Sequence, residues 1–339
     1  MIQRATLSTF ILVMHSPTNN HINIAMASRI TLSAVVASFL LLATKGNNSD
    51  FDPYQLNGGL VAAVAGKDNV VLAADTRLTG SSGFEILQRQ HTSSRLWSML
   101  PCHAATAMQQ ALRKHAEHSS GTVENELDDY KEETIELPLV AVKDAPVWVG
   151  SVGCSTDCEE LKRTCQALLR RNLSTGEMSK LQNVGPGEGL PASLAIWLGQ
   201  VLYGRRGFPY YAFCVLAGCN AQGGYVYGYD AIGSHERLAV AVSGQGRDLL
   251  QSILDRSFHS EDNSSEELTA SEIPCRIMKT PIQVVETAEE TRRLVVEGFR
   301  AVAKREASVG DAVIVLCWKY NKLDNCIESS VTFATLPEN

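Results

Sequence analysis

Hydrophobic positions along this chain fall into two kinds of run. The first kind is short and dense. Leu60 to Ala65 and Val70 to Ala74 are nearly unbroken apolar segments, rich in Val and Ala, joined by Gly66-Lys67-Asp68-Asn69. This pattern predicts two strands and a hairpin, because Gly, Asp and Asn accept the positive φ values of tight loops. Neither run alternates with polar residues, so each strand is expected to be covered on both faces. Further strands are predicted at Ala212 to Ala217, Gly224 to Tyr229, Leu238 to Val242, Ala312 to Trp318 and Ile327 to Phe333.

The second kind recurs at helical spacing. Leu161, Cys165, Leu168 and Leu169, with Glu159, Glu160, Lys162 and Arg163 opposite, predict a helix within Cys154 to Arg171. Pro191 opens another, apolar around much of its circumference through Leu194, Ile196, Trp197, Leu198, Val201 and Leu202. Such a helix belongs between layers or against a neighbouring subunit. A third covers Arg247 to Arg256. Thr287-Ala288-Glu289-Glu290 is a capping box that starts a fourth, with Leu294, Val295, Phe299 and Val302 as its buried stripe and Lys304 and Arg305 suiting its C-terminal end. Gln182 to Leu190 and Ser260 to Ser271 read as loops. Helices grouped between groups of strands predict a layered α+β sandwich.

Two stretches fit this scheme less well. Between Trp97 and Val147, Ala104 to His118 has helical character, whereas Glu124 to Glu136 is strongly acidic and reads as a solvated loop or disordered segment. The insertion, at about 98–146, is expected to bulge from the surface, where added length costs stability only slowly. Residues 1–51 do not read as part of the fold. Their apolar stretch Ile30 to Thr44 follows Met26 and Arg29 in the manner of a secretory signal, and it is too short for a membrane span.

The chain has 339 residues, 45% hydrophobic, enough to bury a substantial core in one domain with extensions or in two. A net charge of −7, with Arg205-Arg206 and Arg170-Arg171 as isolated basic pairs, argues against nucleic-acid binding. The nine cysteines match no zinc or disulfide framework. Reduced, mostly buried thiols such as Cys214 and Cys317 are expected. His115 and His118 form a close pair without a third ligand nearby, so no metal site is predicted.

Asn57-Gly58-Gly59, the hairpin and Ala74-Asp75-Thr76-Arg77 together resemble the start of a 20S proteasome β subunit. Tyr203-Gly204-Arg205-Arg206-Gly207-Phe208-Pro209-Tyr210-Tyr211, Tyr227 to Ser234, the helix around Glu289 to Arg305, and Val309-Gly310-Asp311-Ala312 follow in the family's order. The resemblance spans most of residues 52–335. The Asn-Gly-Gly start and the Arg-Arg-x-Phe-Pro-Tyr-Tyr run are most similar to the noncatalytic β type-1 (β6) kind. The resemblance implies the four-layer αββα sandwich of N-terminal nucleophile hydrolases. It also implies other α and β subunits as partners in a four-ring complex, no cofactor, and a place in cytoplasm and nucleus. A retained propeptide or an annotation extension then competes with the signal reading of residues 1–51.

An N-terminal nucleophile hydrolase needs a Thr, Ser or Cys whose side chain attacks while its freed α-amine serves as base. Here Gly59 stands in that place, and neighbouring Gly58, Leu60 and Val61 carry no hydroxyl. Carried over position by position, Asp75 matches the family's acidic residue, and the partner lysine falls at Ser93 when Phe84 to Trp97 is aligned without gaps. Gly244 stands for a serine, Glu306 for an acidic residue and Val309 for a Ser or Thr. Asp75 itself reads as a strand-end carboxylate pairing with backbone or with Arg77, and Ser243-Gly244-Gln245-Gly246 as a strand-to-helix turn. Arg205, Arg206, Phe208, Tyr210 and Tyr211 are the candidate subunit-contact patch, with a plain surface loop as the alternative. The rival functions are an active N-terminal nucleophile threonine peptidase and a secreted or organellar protein on the same fold, which would carry glycans at Asn172 or Asn263.

Overall fold

The computed structural model describes residues 55–80, 85–88, 95–100, 103–119, 131–142, 146–174, 189–258 and 283–337. By its contacts the chain divides into Met1–Pro53 and Tyr54–Asn339. The first unit, with Ile30 to Thr44, lies outside the described residues, as do Ser93, most of the Gln182 to Leu190 loop and the Ser260 to Ser271 loop.

In the second unit the predicted hairpin forms, as β1 (Leu60–Ala65) and β2 (Asn69–Asp75), paired antiparallel from Val61 opposite Ala74 to Ala65 opposite Val70. It lies inside a six-stranded sheet ordered β11-β1-β2-β12-β13-β6, with β6 at Glu132–Ala141, β11 at Val240–Gly244, β12 at Ala312–Asn321 and β13 at Cys326–Thr335. A five-stranded sheet is ordered β10-β9-β8-β7-β5. Its strands are β5 (Leu96–Ser98), β7 (Val147–Gly153), β8 (Ala212–Asn220), β9 (Gly223–Tyr229) and β10 (His235–Leu238). The short pair β3 (Leu78–Thr79) and β4 (Ile86–Gln88) stands apart.

Three apolar layers explain why the strand runs are unbroken. Successive strand side chains point to opposite faces. Val61 and Ala63 of β1 therefore join Leu72, Trp148, Val215 and Leu316 between the sheets, while Leu60, Ala62 and Val64 face a second layer. That second layer is closed by Leu250 and Leu254 of α4 (Arg247–Phe258) and by Val295, Phe299 and Val302 of α5 (Ala288–Ala303). On the far side, Val147, Val149, Cys214 and Leu216 meet Leu161, Cys165 and Leu169 of α2 (Ser155–Ser174), and Leu194 and Leu198 of α3 (Gly189–Gly204). Helices, sheet, sheet, helices is the four-layer αββα arrangement. The capping box forms, with Thr287 Oγ1 accepting from the Glu290 N–H at 3.3 Å.

Two expectations are corrected. The run Leu238 to Val242 is not one strand. Leu238 ends β10 opposite Val226, and Val240 begins β11 opposite Val64 in the other sheet. An apolar run that crosses from one sheet to the other looks continuous because Leu238 packs against the inter-sheet core and Ala239 to Val242 are buried. The acidic stretch to Glu136 is likewise not simply a solvated loop, because its end is the first half of β6. Ile135 and Leu137 are half-buried against the inter-sheet core, while Glu132, Glu133 and Glu136 are exposed. Two residues, Pro138 and Leu139, stand opposite Glu328 alone, a bulge that lets a proline sit in an edge strand. Before it, α1 (His103–Ser119) sends Met108, Ala111 and Leu112 into the same core. The described parts of the insertion are thus built into the sandwich.

Candidate functional site

The chain reaches β1 through two backbone positions that favour glycine, Gly58 at φ +67° and Gly59 at φ +91°. Asn57 fixes the approach. Its N–H donates to the Gly153 carbonyl at 2.9 Å and its Nδ2 to the Thr79 carbonyl at 3.2 Å, while its Oδ1 accepts from the Ser155 N–H at 2.8 Å. The buried side-chain amide therefore ties the start of β1 to β3 and to the first turn of α2, and the backbone N–H ties it to the end of β7. Behind Gly59, the Gln245 N–H donates to its carbonyl at 2.9 Å. Gly244 at φ +113° and Gly246 at φ +80° form the predicted turn from β11 into α4.

Asp75, at the end of β2, is 1% exposed. Its Oδ1 accepts from the Leu60 N–H at 2.8 Å and its Oδ2 from the Gly310 N–H at 3.3 Å. Arg95, also buried, is ion-paired with the same carboxylate. Its Nη1 also donates to the Asp75 carbonyl at 3.3 Å, and its Nη2 to the Arg77 carbonyl. Burial pushes the Asp75 carboxyl up to about 6, against the Arg95 charge and the backbone donors, which hold it down. Arg77 serves Asp75 only through its backbone N–H, and its guanidinium pairs elsewhere. It lies over Gly310, ion-paired with Asp311 at 3.0 Å and donating to the Ala307 carbonyl at 2.9 Å.

Of the positions named from sequence, Gly59, Asp75, Gly244, Glu306 and Val309 converge on this corner. Val309 is fully buried beside Gly310, and the half-buried Glu306 accepts from the Ser308 hydroxyl at 2.8 Å. Ser93 lies outside the described residues, and the cation on Asp75 comes from two positions later. Arg95 was not named from sequence; the burial of Asp75 is what calls for a cation there. Asn57 was read as part of a motif, and its two side-chain bonds were not foreseen.

Beside Gly58 lies a cleft of about 250 Å3 lined by Leu56, Gly153, Ser243 and the edge-to-face pair Tyr211 and Phe213, whose ring centroids are 5.4 Å apart. The patch from Arg205 to Tyr211 divides. Arg205, Arg206 and Phe208 are exposed, and Arg206 stacks on Tyr203 at 4.5 Å. Tyr210, in contrast, is 5% exposed and packs in the outer core, with Arg205 over its ring at 4.9 Å and its hydroxyl 3.4 Å from that of Thr164. Tyr211 is half-buried at the cleft. The seven described cysteines are free thiols, and burial pushes Cys158, Cys165, Cys219 and Cys317 up to about 12. Among the described residues no cluster of three or more His, Cys, Asp or Glu could hold a metal ion.

Two sheets enclosed by helix pairs, with the β1 start set against a buried carboxylate at the end of β2, form an N-terminal nucleophile hydrolase sandwich. The pattern of the family described as proteasome subunit matches residues 142–296, and the chain belongs to that family, on its β side. It is similar to the proteasome subunit beta type-1 of Drosophila melanogaster, 28% identical over 78% of this chain and 84% of the relative. The Arabidopsis thaliana beta type-1 subunit is 26% identical over 80% and 92%, and that of Dictyostelium discoideum 31% over 60% and 64%. The family is that of a threonine-protease complex, whose members assemble with one another.

Proposed function

We propose that this chain is a noncatalytic β-ring subunit of the 20S core proteasome. It completes a seven-membered ring, touches neighbours within that ring and across to the opposing β ring, and helps enclose the chamber in which other subunits cut unfolded or ubiquitin-tagged proteins in cytoplasm and nucleus. The observation that carries this reading is position 59. A nucleophile must supply a hydroxyl or thiol there, and Gly59 supplies backbone alone. Charge stabilisation by Asp75 and Arg95 cannot replace the missing bond-forming atom. Without that atom the chain also lacks the means to cut its own upstream peptide bond, so any trimming comes from other subunits. In such a ring the side-by-side contacts are heterologous. Arg205, Arg206 and Phe208 are the exposed candidates for them.

The test is covalent labelling of purified particles with an epoxyketone or vinyl-sulfone probe, read by mass spectrometry of each chain. Active siblings should carry the adduct and this chain none; an adduct at or beside Gly59 sinks the assignment. Fractionation of the tagged chain should recover it with 20S particles in cytoplasm and nucleus. Recovery in a secretory compartment, with glycan on Asn172 or Asn263, would favour the secreted reading instead.

A further inference from the structure

The guanidinium of Arg95 lies against the backbone of Gly59. A methyl group built on the Gly59 Cα would overlap Nη1, Cζ and Nη2 of that side chain. The same guanidinium faces the Asp75 carboxylate and the carbonyls of Asp75 and Arg77. We infer that Arg95 and Gly59 form a mutual lock, in which the guanidinium fills the space a side chain at 59 would take and clamps the end of β2 to the start of β1. This rests on the noncatalytic reading and deepens it, because the site is then occupied as well as lacking a nucleophile.

The choice of arginine follows from what has to be satisfied. A buried carboxylate needs a counter-charge, and one partner left alone is costly. A lysine ammonium would provide a point charge at the end of a flexible stem. A guanidinium is a planar fork whose donors diverge, so it can face a carboxylate and two carbonyls at once. That plane needs room on one side, and Gly59 gives it. Glycine is thus demanded twice at this position, by φ +91° and by the arginine lying against it. Restoring a threonine at 59 by a single substitution would set its Cβ into the guanidinium.

The lock predicts coupling between the two positions. In particles carrying the full-length chain, Gly59→Ala should lower the temperature at which this chain is lost by on the order of 6 °C. In an Arg95→Lys background, where the fork is absent, the same substitution should lower it by less than half as much, leaving only the φ penalty. Equal shifts in the two backgrounds overturn the lock. Should Gly59→Ala fail to incorporate in both, the lock is read from Arg95→Ala alone. Millimolar ethylguanidinium, which matches the deleted atoms, should then raise its midpoint saturably and leave the native chain unmoved. No rescue, or equal rescue by propylammonium, overturns the lock. Probe labelling of the native chain is a separate readout, so an adduct beside Gly59 would remove the noncatalytic reading without touching the coupling.

Discussion

The corner where β1 begins and the insertion that supplies α1 and β6 are both built into one sandwich, yet they are held by opposite means. The corner is ionic and particular. Asp75, Arg95, Arg77 and Asp311 pair within it, Asn57 staples it, and glycines give the backbone its turns. The insertion is anchored mainly through apolar side chains, for Met108, Ala111 and Leu112 ask only for a helix of the right period, and Ile135 and Leu137 for an alternating strand. Its ion pair, Glu132 with Arg300, is partly exposed. The difference teaches where substitution should hurt. At the corner chemical identity matters, whereas at the insertion volume does.

The sharpest way to break this contrast is to remove the acid. Asp75→Ala leaves Arg95 buried without its counter-charge, and truncating one partner of such a pair costs about 3–5 kcal/mol. Denaturant titration of the full-length chain should show a loss of that order. A cost below about 1 kcal/mol would mean that water reaches Arg95 and that the corner is not the buried ionic cluster described. At the insertion, Met108→Ala should cost about 2–4 kcal/mol by opening a cavity between the sheets, and Met108→Leu under about 1.5 kcal/mol. If both were neutral, α1 would be an ornament on the surface, as the sequence reading expected of the whole insertion.

That misreading has a physical cause. The hairpin was legible because its pairing is local, with its turn residues and both strands within sixteen positions, Leu60 to Asp75. β6 was not, because an edge strand takes its register from β13, far along the chain, and the exposed Glu132, Glu133 and Glu136, on both of its faces, mask the alternation. Arg292 of α5 donates to the hydroxyls of Thr134 and Thr332 at 2.8 and 3.1 Å, a tertiary clamp that no local window reveals. At the corner, Gly59, Asp75, Gly244, Glu306 and Val309 could be named by position in a resembling family. Arg95 was not among them, because the demand for a cation there comes from the burial of Asp75, which no local stretch of sequence shows. Tyr210 was placed on the surface because an Arg-rich, aromatic run looks like an interface, whereas its ring in fact fills the layer over β8.

The ionic character of the corner also gives it a pH signature that the apolar insertion lacks. The folded-state pKa of Asp75, about 6, lies above its ordinary value of 3.8. A group raised on folding binds its proton more tightly in the native state. Its contribution is therefore fully present below about 4 and is lost as pH rises through about 6, about 3 kcal/mol in all. Denaturation midpoints measured from pH 4 to 7 should carry this downward component, and Asp75→Asn should remove it while Met108→Ala leaves it in place. A component that rises with pH and vanishes in Asp75→Asn would mean that Arg95 outweighs burial at this carboxyl.

The smallest expected effect separates geometry from charge at the corner. Asn57 is uncharged, and it holds the start of β1 through one buried amide with two side-chain bonds, to the Thr79 carbonyl and from the Ser155 N–H. Asn57→Ala deletes both and leaves the Ser155 N–H at the first turn of α2 without its acceptor, at about 1–2 kcal/mol. Asn57→Asp keeps the acceptor but brings a second carboxylate to a site where Nδ2 had donated to a carbonyl, so it should not restore stability at neutral pH. Because neither variant touches Asp75, the pH component should persist in both. If instead Asn57→Ala abolished it, the approach to β1 would be setting the position of Leu60 N–H, the closest backbone donor to Asp75, and the staple and the ion cluster would be one cooperative unit rather than two neighbouring ones.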